Sequence, residues 1–296
     1  MRRLLILSLL LTTVLRLGVS AESDFRLYQI GNSHTFDSLP RDGLPALFES
    51  AGFNLINGWH IRCARSLNYI TQHPDSVCVE SNNFGKWIPA LANHSWCAIV
   101  LQTHNGSTGN EELNAISTIL APVADLRNTQ VYVYVNWPRI QGREFRDVWG
   151  SGYSGGEQRV VQSASYFQWL AHELKSNHRL AEEISFIPVG NVLSELDRRF
   201  REGEFVGFNK VDDLYRDDVH MSNVGKYVVG LTIMATLLDY DIRLLGAPPK
   251  PYGRPTSNFR VITPELADYL QQVVWAVVSN LPSGLGTRVS GVKKSK

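Results

Sequence analysis

A chain of 296 residues carrying a formal charge of +1 has the length and make-up of one large globular domain, or of one domain with decoration. So even a balance leaves no electrostatic footprint for nucleic acid. The three cysteines, Cys63, Cys78 and Cys97, form no CxxC or His–Cys pattern with metal-ligand spacing.

The first residues read MRRLLILSLLLTTVLRLGVSAES. Two arginines, an apolar run from Leu4 to Leu15 and the small-residue pattern Val19-Ser20-Ala21 are those of a secretory signal peptide, residues 1–21, cut after Ala21. Its removal with Arg2, Arg3 and Arg16 leaves a net charge of about −2. The chain is therefore expected to be secreted or periplasmic, with no membrane attachment after cleavage. Export permits a Cys63–Cys78 disulfide, although pairing does not follow from sequence. Cys97, within WCAIVLQ, reads as a small buried hydrophobe.

Beyond the leader, short β-rich runs alternate with helical patterns. Phe25–Ile30 is the first run and Phe53–Ile61 a weaker second. Cys97–Gln102 is the third, continuously apolar as in a strand buried on both faces. Val131–Trp137 and Ile184–Val189 are the fourth and fifth. Helical spacing marks 41–52, 111–127, 157–178, 191–200 and 222–240. This alternation predicts an α/β fold, a three-layer α/β/α sandwich of flavodoxin-like type on a five-stranded parallel sheet. Residues 22–250 make the domain, 251–282 a C-terminal extension with a helix, and 283–296 a basic disordered tail.

Open parallel sheets bind ligands beyond the C-terminal ends of their strands. The first strand ends there in Gly31-Asn32-Ser33-His34-Thr35. A serine becomes a nucleophile when a base takes its proton, and that base is commonly a histidine oriented by a carboxylate. Of the eight histidines, His220 in YRDDVHMSNVGKY follows Asp217 by three residues, close enough for the carboxylate to meet its ring from a tight loop. The bland reading of that stretch is an acidic helix start beside a surface histidine.

Taken together, the two stretches resemble the SGNH/GDSL hydrolase superfamily over about residues 24–245. The Gly-Asn-Ser turn matches the family's nucleophile block, with Asn32 where the familiar pattern has Asp. DDVHMSNVGKY matches the late Asp-x-x-His block. The resemblance implies a serine esterase with Ser33, His220 and Asp217 as catalytic triad and no metal or organic cofactor. It also implies an oxyanion hole built from the Ser33 N–H, a glycine N–H in a second block and an Asn side chain in a third. No glycine stands where the second block needs one, in GWHIRCARSLNYI; Ala64 is the best counterpart and Gly58 a poorer one. In the third block, VLQTHNGS, Asn105 is the side-chain donor and Gln102 the runner-up. The same residues also read as an Asn-Gly turn and as an N-glycosylation sequon.

His34 and His104 flank these blocks as substrate contacts or loop polars. Arg62 and Arg65 flank the second block, either solvated or paired with an acidic group on a substrate. The segment after the fourth strand, NWPRIQGREFRDVWGSGYSGGE, is too long for an ordinary connection. Trp137, Arg139, Trp149 and Tyr153 are expected there as substrate contacts, unless the aromatics staple the loop to the surface. Export and an aromatic loop point to an acetylated carbohydrate among small-molecule or carbohydrate esters. The alternatives are an acyltransferase of the same fold and a non-catalytic ligand-binding module. A nucleotide-binding protein is disfavoured because nothing after the first strand resembles Gly-x-Gly-x-x-Gly.

Overall fold

The computed structural model describes residues 23–176, 184–255 and 257–281. The leader and the basic tail assigned from sequence therefore lie outside the described residues.

Five parallel strands form one sheet in the order β2-β1-β3-β4-β5: β1 Ser23–Gly31, β2 Phe53–Ile61, β3 Ala98–Leu101, β4 Gln130–Tyr134 and β5 Ile184–Ile187. This is the flavodoxin-like order, with helices on both faces. The chain reverses its winding direction at β1, between β2 and β3. The first half of β1 is partly exposed and its second half is buried through to Gly31. The strand thus delivers the Gly31-Asn32-Ser33 turn to the deepest part of the sheet's C-terminal edge.

The short helix α1, Ser33–Phe36, opens at the nucleophile candidate. Helix α2, Gly43–Ser50, follows it and packs on β2. Two helices not foreseen from sequence come next, α3 (Leu67–Gln72) and α4 (Trp87–Asn93). Ser66 caps α3 by accepting the Tyr69 N–H at 3.2 Å. Helix α5, Gly109–Leu120, starts with a capping box between Thr108 and Glu111. The five-residue α6, Phe145–Trp149, lies within the long segment after β4. Helix α7, Ala164–Ser176, begins seven residues later than its sequence pattern does, because Val160 donates its N–H to Ser107 and Arg159 bridges Thr108. Helices α8 (Val189–Arg201), α9 (Asn223–Leu238) and α10 (Pro264–Asn280) complete the fold.

Helices α3, α5 and α7 pack together, as do α2, α8 and α9. Every residue of α9 from Asn223 to Ala235 is buried. A helix apolar all round must be covered all round. The sheet layer covers one side of α9, and α10 lies across it, burying Leu266, Leu270, Val273 and Val274. The C-terminal extension read from sequence is thus an outer wall of the core.

Candidate active site

The turn that carries Ser33, the nucleophile candidate, is built from hydrogen bonds that its sequence makes specific. Asn32 caps α1 by accepting the His34 N–H at 3.0 Å, and its side-chain amide donates to the Arg65 carbonyl at 3.0 Å. An aspartate could cap but has no donor for Arg65, so the departure from the familiar Asp is matched by a contact only Asn makes. Gly31 is required by close approach: a Cβ there would lie 2.7 Å from the Gln102 side-chain oxygen. That oxygen accepts the Asn32 N–H at 2.9 Å and the Thr35 hydroxyl at 3.2 Å.

The histidine loop is equally fixed. Asp217 accepts the Val219 and His220 N–H groups at 2.8 Å each, and His220 Nδ1 lies 2.9 Å from its other oxygen. Partial burial pushes the Asp217 carboxyl up, but the hydrogen bonds from the His220 and Val219 amides and the His220 ring outweigh it and hold it at about 2. The carboxylate is therefore charged at any neutral pH and orients the ring through Nδ1, leaving Nε2 available.

Three contacts bring this loop to the nucleophile turn. Asp37 accepts the Met221 N–H at 2.8 Å. Trp137 donates its indole N–H to Val219 O at 2.7 Å while its ring stacks on His34 at 4.5 Å. The Ile140 N–H reaches Asp218 O at 2.9 Å. As a result, the His34 and His220 rings stand edge to face, 6.4 Å apart. Ser33 is half-buried, and its hydroxyl makes no hydrogen bond among the described residues, His220 included. Such a contact commonly tightens only when substrate binds.

The second and third blocks meet at a buried carboxylate that sequence reasoning missed. Glu112 of α5 is wholly buried and accepts the Leu67 N–H at 3.3 Å, the Asn68 N–H at 3.1 Å, the His104 N–H at 3.2 Å and the Ser107 hydroxyl at 2.6 Å. Burial raises its pKa to about 7 against the pull of those donors. On the helix pattern it looks like one more exposed glutamate, so nothing in the sequence flags it.

Ala64 has φ +55°, in the left-handed region that favours glycine. Ala64 thus holds a conformation that a glycine would adopt at less cost. A Cys63–Cys78 disulfide, the pairing the sequence left open, fastens this turn to the segment that runs antiparallel to the end of β2. Gly58 lies inside β2 against Tyr28 and Trp96, away from the turn. Asn105 is exposed, its side chain beside the His104 ring. Gln102, the runner-up for the third block, is fully buried and its amide nitrogen donates to Thr103 O, so it braces the nucleophile turn instead of facing a substrate.

Of the aromatic residues expected after β4 as substrate contacts, Trp137 and Trp149 are buried and Tyr153 is half-buried. Trp137 is fully buried between His34 and Val219, and Trp149 packs in the core on Phe145 and against Gly190. Tyr153 donates to Gln158 O at 3.0 Å and rests on Tyr166 and Trp169. These rings staple the loop down, because burying them gains more than presenting them to water. Arg139 alone of that set is exposed, next to the residue that holds Asp218.

His34 and His104 are both pushed below the usual imidazole range by burial, His104 to about 4. For His34 the neighbouring His104 and His220 add to the effect. The three rings gather at the turn, yet among the described residues no His, Cys, Asp or Glu group has an arrangement suited to a metal ion.

The fold recurs in known structures. A DUF4886 family protein from Bacteroides uniformis is similar over 89% of this chain and 98% of its own, with a TM-score of 0.61 and 16% sequence identity. That likeness shows a shared fold. A gut microbial diltiazem-metabolizing enzyme aligns over 73% of this chain and 48% of its own, at a TM-score of 0.38 and 13% identity. No sequence family and no curated protein matches the chain.

Proposed function

We propose that this protein is an exported serine hydrolase of carboxylic esters, with Ser33, His220 and Asp217 as its triad. The observation that carries the reading is the convergence, at the C-terminal edge of a flavodoxin-like sheet, of the Gly31-Asn32-Ser33 turn with an Asp217–His220 pair already hydrogen-bonded for the task. The Cys63–Cys78 bridge suits an oxidising compartment and supports export.

In this reading His220 Nε2 takes the Ser33 proton as Oγ attacks the ester carbonyl carbon. Asp217 stabilises the imidazolium. The Ser33 N–H, the Ala64 N–H and the Asn105 side chain hold the oxyanion, a class of interaction whose single donors are worth roughly a hundred- to a thousandfold in rate. Collapse expels the alcohol, which receives the proton from His220. Water then attacks the acyl-enzyme by the same route, releasing the acid and restoring Ser33. With Trp137 and Trp149 buried and Tyr153 half-buried, the substrate class is a carboxylic ester.

The test is labelling of the purified protein with a fluorophosphonate probe. Ser33 is expected to be the labelled residue, and both Ser33→Ala and His220→Ala to abolish labelling and ester hydrolysis. Hydrolysis undiminished in folded Ser33→Ala protein would end this reading in favour of a binding module on the same fold.

A further inference from the structure

We propose that Arg62 and Arg65 form an oxyanion-binding clamp beside Ser33, so that the preferred ester carries a carboxylate or similar anionic group; the catalytic part of this rests on the esterase reading. Both arginines spring from backbone bonded directly to the nucleophile strand and turn. Arg62 donates its N–H to Gly31 O at 2.9 Å, and Arg65 O accepts from Asn32 at 3.0 Å. Their guanidinium groups lie around one ring, that of Tyr69, at 4.6 Å for Arg65 and 5.8 Å for Arg62.

No carboxylate among the described residues pairs with either arginine. Several other arginines do have one, Arg198, Arg199 and Arg201 each meeting a glutamate or an aspartate, as do Arg243 and Arg254, whereas Arg26 and Arg260 bond backbone carbonyls. Arg62 is partly engaged, donating to the Ser76 hydroxyl at 2.7 Å and to Cys63 O at 3.4 Å, which fixes its position. Arg65 is exposed, and its side chain has the ring as its partner. Two guanidinium groups held on one ring with most of their N–H donors free, on a turn stapled by a disulfide, make a preorganised seat for a planar anion. Stacking on Tyr69 removes flexibility that binding would otherwise have to freeze out. The backbone ties to Gly31 and Asn32 place the segment that carries both arginines beside the Ser33 turn.

The experiment compares para-nitrophenyl acetate with two carboxylated esters, the para-nitrophenyl monoester of succinate and para-acetoxybenzoate. These put the anion on the acyl side and the alcohol side respectively. With rates corrected for spontaneous hydrolysis, kcat/KM for at least one carboxylated ester is expected to exceed that for the acetate by about tenfold or more, mainly through KM. Added salt should erode the preference, and the Arg62→Gln/Arg65→Gln double variant should collapse it toward unity. No preference in the native protein, or one that survives the double substitution, overturns the clamp. Loss of acetate hydrolysis in Ser33→Ala checks the esterase reading separately. Should that reading fail, the clamp still stands or falls on binding. Sodium malonate should raise the melting temperature above that in sodium chloride of equal ionic strength, and by more in the native protein than in the double variant; equal rises overturn it.

Discussion

The carboxylate of Asp37 accepts the backbone N–H of Met221 at 2.8 Å, joining positions 184 apart in the chain. The same side chain lies 3.5 Å from the Lys226 ammonium, and both groups are buried. Burial raises the Asp37 pKa while Lys226 and the Met221 amide pull it down. Asp37→Ala would leave an amide and an ammonium without their partner in the core. A loss of about 3–5 kcal/mol in urea unfolding is expected, with hydrolysis lost in whatever protein remains folded. Asp37→Asn with Lys226→Met removes both charges and should cost much less.

Trp137 gives a way to separate positioning from substrate contact. Trp137→Phe keeps a ring against His34 and deletes the N–H that holds Val219 O. The loop carrying His220 should loosen. The expected result is a kcat roughly tenfold lower at nearly constant KM and a stability loss of about 1–2 kcal/mol. A rise in KM with kcat intact would return Trp137 to the substrate site.

Ala64 carries a conformation that suits a residue without a Cβ. Ala64→Gly should therefore raise stability by up to about 1 kcal/mol, the relief of left-handed strain exceeding the extra chain entropy, and leave hydrolysis intact. Reduction of Cys63–Cys78, a link across 15 positions, should cost about 3 kcal/mol and lower kcat as the turn at Ala64 relaxes. Thermal melts and rates with and without a reductant measure both.

Glu112 makes stability and activity respond to pH in opposite senses. Its pKa is raised from the ordinary 4.5 to about 7. A raised carboxyl favours the folded state when protonated, so its contribution is fully present below about pH 4.5 and is lost as pH climbs through 7. Relative to Glu112→Gln, the native protein should gain up to about 3 kcal/mol as pH falls over that window. Protonation also costs the carboxylate part of its accepting capacity, which binds α3 to the His104 turn. The acid limb of kcat/KM should be steeper in the native protein than in Glu112→Gln. Identical limbs would leave Glu112 a purely structural role.

The sheet is open to reading because β3 and most of β4 are apolar runs, and even the weaker β2 matches its expected bounds. The two conspicuous blocks are equally open, since a polar turn directly after a buried parallel strand falls at the edge where such sheets bind their ligands. Helices α3 and α4 are not, because at six and seven residues they are too short to show a period and depend on caps and tertiary packing. The fate of the aromatics is hidden as well. Trp137 and Trp149 sit in a Gly-rich stretch that reads as loop, and only the three-dimensional path turns their rings inward. Glu112 is the converse, a charge whose burial no local pattern announces. The start of α7 departs from its helical pattern where pairing to Ser107 and Thr108 overrides helix propensity.

The position of α10 decides what a usable fragment is. A chain ended near residue 250, where the strand–helix alternation closes, would strip the outer flank of α9 and wet the surface that Leu266, Leu270, Val273 and Val274 now keep dry. Such a fragment should collect in inclusion bodies, whereas one ending after Leu281 should stay in the supernatant.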